Sequence, residues 1–85
     1  MLICWSEHAW QDYIYWQKQD KTILNKINFI IKDIKRSNFE GIGSPEPLKH
    51  NWSGYWSRRI NKEHRIIYKV LSDKELVIAQ CRYHY

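Results

Sequence analysis

The sequence predicts an α+β fold, with an N-terminal strand and two helices packed on one face of a mainly antiparallel, twisted sheet. Three observations lead there. Ile23, Ile27, Ile30, Ile31 and Ile34 follow one another at steps of four, three, one and three, the repeat of a single helical face. Both prolines and two of the three glycines fall between Glu40 and Pro47, so the chain has one strong break. Beyond it, short apolar runs separated by tight turns read as an antiparallel meander, and the order strand, helix, helix, strands places the helices on one sheet face.

Leu2 to Trp5 is apolar and short, a first strand, and Ser6 after it is a helix N-cap. Residues 7–19 then set Ala9, Trp10, Tyr13, Ile14 and Trp16 on the broad buried side of a first helix. Asp20 caps the isoleucine helix, which should stop near Ser37. The isoleucines are core. Strand signals follow near Pro47 to Lys49, from Tyr55 to Ile60, from Arg65 to Leu71, and from Leu76 to the chain end. Turns are expected at 51–54, 61–62 and 72–74. The apolar run Leu76-Val77-Ile78-Ala79 predicts that the last residues are pinned as part of the final strand rather than frayed.

Eighty-five residues make one domain, 1–85, with modest burial that the five Trp, six Tyr and two Phe reinforce. No segment approaches the ~18 apolar residues of a membrane span. The first residues lack the charged and hydrophobic regions of a signal peptide, so a cytoplasmic location is expected. Cys4 and Cys81 read as buried free thiols. The scattered His8, His50, His64 and His84 offer no zinc spacing, so no metal and no cofactor is expected.

The net charge of +5 is unevenly spread. Between 49 and 69, six bases face only Glu63, which points to an anionic partner, nucleic acid or an acidic inhibitory protein.

The candidate chemistry lies in a few residues. Glu46 is bracketed by Pro45 and Pro47, which restrict its backbone and preorganise its carboxylate. Arg58, Arg59 and Arg65 supply guanidinium groups, and His84, next to last, titrates near neutral pH. Metal-free RNA cleavage needs one group to take the 2′-hydroxyl proton, one to protonate the leaving 5′-oxygen, and a cation for the charge on phosphorus. A carboxylate, an imidazole and an arginine fit those needs, and arginine's fork grips two phosphate oxygens. Arg58 and Arg59 are strand neighbours and should point to opposite faces, leaving one of them to packing or phosphate grip. Trp52, Tyr55 and Trp56 suit base stacking and core filling equally. His50 and His64 read as surface or supporting residues.

The stretches Glu46-Pro47-Leu48-Lys49-His50-Asn51, Gly54-Tyr55-Trp56-Ser57-Arg58-Arg59-Ile60 and Glu63-His64-Arg65-Ile66-Ile67-Tyr68, with the ending Cys81-Arg82-Tyr83-His84-Tyr85, carry a further signal. They resemble the RelE superfamily of bacterial toxins over essentially the whole chain, and within it the YoeB-like toxins. The resemblance implies a RelE-like fold and a ribosome-dependent endoribonuclease that cuts mRNA in the ribosomal A site. It implies Glu46 as general base, Arg65 as charge stabiliser and His84 as general acid, with Lys49, Arg59 and Tyr85 lining the same site. The partners it implies are mRNA, the ribosome, a YefM-like antitoxin and a second copy of the chain. Read from the residues alone, the acid and base labels on Glu46 and His84 are exchangeable. A non-catalytic, gyrase-poison-like toxin and a plain RNA-binding module are the rival functions.

Overall fold

The computed structural model describes residues 1–83; His84 and Tyr85 lie outside the described residues. The chain runs β1 (Leu2–Trp5), α1 (Glu7–Gln19), α2 (Lys21–Arg36), β2 (Glu46–Pro47), a 3₁₀ turn (His50–Trp52), β3 (Trp56–Arg59), β4 (Arg65–Ser72) and β5 (Glu75–Gln80). Among the described residues the strands form one five-stranded sheet in the order β1-β5-β4-β3-β2. Every pairing is antiparallel except β1 with β5, which is parallel. No helix is long and apolar enough to cross a membrane among the described residues.

The helix boundaries follow the expected caps. Ser6 Oγ accepts the Ala9 N–H at 3.0 Å and donates to the Ala79 carbonyl at 2.7 Å, so one hydroxyl starts α1 and ties it to the sheet. Asp20 serves both helices. Its N–H donates to the Trp16 carbonyl at the end of α1, and its Oδ1 accepts from Thr22 and Ile23 at the start of α2. Ile27, Ile30, Ile31 and Ile34 are buried against Ile66, Tyr68, Leu76 and Ile78 of the sheet. Such burial stabilises by roughly 1.5–3 kcal/mol per side chain.

Three expectations need correction. Trp10 was expected on the buried side of α1, but 46% of it is exposed. The residues of α1 that are buried are Ala9, Asp12 and Trp16, while Trp10 and Tyr13 stack on each other and meet Trp5 of β1 edge-on or tilted. The final strand was expected to run to the chain end, but β5 stops at Gln80. Its register with β4 shifts by one residue: Tyr68 pairs with Ile78 and Ile67 with Gln80, leaving Ala79 as a bulge. Directly paired residues share a sheet face, so the bulge reverses the alternation. Ile78 faces the helices, Gln80 the opposite face, and Cys81 returns to the core. Beyond it, Tyr83 adopts a φ of 65°, which no strand can accommodate.

Both thiols are free, with Cys81 buried and Cys4 only half-buried, which departs from two buried cysteines. Burial, reinforced by the nearby Asp12 carboxylate, pushes the Cys81 thiol far above its ordinary range.

Arg58 and Arg59 divide as strand alternation requires. Arg58 is fully buried on the helix face, where Nη1 reaches Asp33 Oδ2 at 2.7 Å and Nη2 donates to the carbonyls of Ser37 (2.8 Å) and Glu40 (3.0 Å). The guanidinium thus satisfies the carbonyls left open where α2 ends. The connection after α2 follows closely. Gly41, at φ 130°, lies where an added Cβ would overlap Asp33 Oδ2, so only glycine fits.

Asp33 accepts the Ile42 N–H and bonds Arg36 and Arg58, which together lower its carboxyl from the usual 3.8 to about 2. A carboxyl depressed in the folded state stabilises the fold above its unfolded value and loses that contribution as pH falls through the folded one. Wild type should therefore lose more stability than Asp33→Asn between about pH 4 and pH 2. Urea midpoints taken across that window test this, and parallel curves for the two proteins would refute it.

Candidate functional site

The sheet face turned away from the helices carries the candidate site. Antiparallel register places Glu46 opposite Ser57, Ser57 opposite Ile67, and Arg59 opposite Arg65. Ser57 and Ile67 are completely buried, and Leu48 nearly so, forming a floor under the polar groups.

On this floor Arg65 is held in place. Its side chain is 13% exposed, and Nη1 donates to Ser57 Oγ at 3.2 Å. The same nitrogen lies 3.7 Å from Glu46 Oε1, whose side chain is 52% exposed. The acid and the guanidinium therefore meet, the acid open to solvent and the cation braced from beneath. An exposed ion pair of this length contributes at most about 1 kcal/mol to stability. Its interest is chemical.

The proline bracket explains the placement of Glu46. Pro45 and Pro47 favour extended backbone on either side, and β2 pairs with β3 for only two residues, enough to deliver the carboxylate beside Ser57. The chain then turns at Lys49, through the 3₁₀ segment, into a hollow lined by Glu46 to Trp52. Lys49 is exposed there. On the other side Arg59, also exposed, and Arg65 line a cleft of about 540 Å³ with Lys26 and Lys62, and among the described residues no carboxylate takes part in its wall. An anionic chain crossing the face would meet cations on both sides of Glu46.

Of the residues singled out from sequence, Glu46, Arg65 and Arg59 share this face, and Lys49 lines the hollow beside Glu46. Arg58 does not, because burial commits it to Asp33 and the end of α2. Trp56 packs against Phe39 and the core, while Tyr55 receives the Lys69 ammonium over its ring at 5.3 Å on the open face. His84 and Tyr85, expected as the acid and as a substrate contact, lie outside the described residues.

Sequence reasoning missed Ser57, the brace under Arg65, which nothing marked within the Trp-Ser-Arg-Arg run. It also passed over Asp12, although that residue sits three positions after Ala9 and four before Trp16, on the buried stripe of α1. His64, read as surface or supporting, is buried and bonds the main chain near the C-terminus.

Two helices packed on one face of a five-stranded mixed sheet make the RelE-type toxin fold. Residues 5–85 match the family described as YoeB-like toxin of bacterial type II toxin–antitoxin systems. The chain is 62% identical over 85 residues, covering all of both proteins, to Toxin YoeB of Escherichia coli O6:H1. It also matches the YoeB dimer from Staphylococcus aureus, with a TM-score of 0.92 at 50% identity, covering 100% of this chain and 98% of that one. The toxin of the YoeB–YefM complex from the same organism gives a TM-score of 0.91 at 49% identity, with 100% and 99% coverage. The chain belongs to the YoeB-like toxins of bacterial type II toxin–antitoxin systems.

Proposed function

We propose that the chain is a ribosome-dependent endoribonuclease that cuts mRNA in the ribosomal A site by general acid–base chemistry and so inhibits translation. The observation that carries this reading is Arg65, braced by the buried Ser57 hydroxyl with the Glu46 carboxylate 3.7 Å from its tip. Glu46, open to solvent, takes the proton of the attacking 2′-hydroxyl. Arg65 neutralises the charge that develops on the phosphate oxygens, a role its fixed fork suits better than a lysine. His84 protonates the departing 5′-oxygen. Lys49 and Arg59, on either side of Glu46, hold the flanking RNA backbone, and Tyr85 contributes at the same site. The brace matters because a donor already in place needs no reorganisation as charge develops.

The same reading makes residues 1–85 a single toxin domain acting in the cytoplasm, silenced by a YefM-like antitoxin and paired with a second copy of itself. Support comes from the relatives that crystallise as a dimer and as a YoeB–YefM complex.

Primer-extension mapping of mRNA after induction tests the proposal. Cuts should appear within translated regions and fall in register with codons. Growth arrest with intact mRNA would overturn it and favour a toxin that only binds its target.

A further inference from the structure

The chain after β5 is fastened mostly by side chains, with one bond to the first residue of β4. Cys81 donates its N–H to Asp12 Oδ2 at 3.0 Å, and its carbonyl accepts Trp16 Nε1–H at 2.9 Å. Tyr83 donates its N–H to His64 Nδ1 at 2.8 Å, and its carbonyl accepts the N–H of Arg65 at 3.0 Å. Between them the Arg82 guanidinium lies 3.5 Å from the centre of the Tyr15 ring and 4.5 Å from that of Tyr83. Each of these fastenings is made by α1 or by the residues that open β4.

Two features make this more than a tidy chain end. Asp12 and His64 are 6% and 7% exposed, and burying such groups is costly unless they are bonded. Continuing β5 along β4 would have satisfied the same backbone without them. Tyr83 is also held at φ 65°, a left-handed conformation that persists in a residue with a side chain only when its surroundings over-determine it. The segment is therefore forced off the sheet, and the carbonyl that passes the chain on to residue 84 is bonded to the backbone of Arg65 itself.

We propose that His64, with Asp12 and Trp16, is a positioning residue for the cleavage reaction. Its Nδ1 fixes the Tyr83 N–H and so holds the residue from which the chain passes on to the acid. This rests on the function proposed above, in which His84 is the acid. The bond requires an unprotonated Nδ1, with the ring proton on Nε2.

The test uses the full chain and ribosomes programmed with a defined mRNA. His64→Leu removes the acceptor and should lower kcat by about a hundredfold, the scale of a 1 Å misplacement, with KM nearly unchanged. His64→Asn carries its oxygen at the position of Nδ1 and should recover most of the rate, whereas His64→Gln places its amide at the position of Nε2 and should not. Should His64→Leu fail to fold, the Asn and Gln pair decides. Equal rates for Asn and Gln, or a folded His64→Leu with wild-type kcat, would overturn the positioning role. Wild type that cleaves nothing on programmed ribosomes would instead overturn the enzymatic reading on which it rests.

Discussion

Arg65→Ala is expected to lower the rate of mRNA cleavage on programmed ribosomes by about 10²–10³-fold, the loss seen when one preorganised donor is removed from a developing oxyanion. The protein should remain folded, since the Glu46 end of the pair is open to solvent and Arg65 leaves behind only a hydroxyl that lies near it on the open face. Glu46→Ala should cost a comparable factor, about 10²–10⁴-fold, by removing the proton acceptor, and His84→Ala should do the same from the acid side. The three losses will not add, because groups acting on one transition state fail together. Arg65→Lys should recover little, since an ammonium can neither donate to Ser57 Oγ in the same geometry nor grip two phosphate oxygens. Single-turnover rates at saturating ribosome concentration make the comparison. A folded Arg65→Ala variant cleaving within about threefold of wild type would show that charge stabilisation lies elsewhere.

Arg58→Ala should have the largest effect on stability, about 3–5 kcal/mol, the usual cost of removing one partner from a buried pair. The guanidinium is wholly enclosed. Its loss takes one partner from Asp33, strands the carbonyls at the end of α2, and removes the Nε bond to the Tyr68 hydroxyl. Burial pushes that phenol upward, so it stays neutral. Against a total of about 5–15 kcal/mol for a typical domain, the variant would be marginal at best. Arg59→Ala, one residue away on the exposed face, should be nearly neutral for stability. Urea unfolding of the two variants checks both statements, and equal midpoints would show that the buried fork is dispensable.

That contrast shows how far the sequence could be read. Alternation requires Arg58 and Arg59 to part, but it does not say which goes inside. The answer depends on Asp33, contributed from another element, and on a glycine at position 41 that lets the chain close over it. The candidate site was legible to the extent that its residues lie in short, distinctive runs: Glu46 between two prolines, Arg65 at the start of a strand. Ser57 was not, because its role exists only through register, on the strand between those that carry Glu46 and Arg65.

Local chemistry alone settled much of this protein. The isoleucine stripe, the caps at Ser6 and Asp20, the proline break and the meander all depend on spacings of a few residues, and those spacings persist in the folded chain. Long-range packing decided the rest: β1 lying parallel to β5, the bulge at Ala79, and the burial of Asp12 and His64 against a strand that stops at Gln80. A one-residue slip reverses every side chain beyond it, and it is selected by which face can be buried when all the elements meet, a quantity no short window of sequence contains.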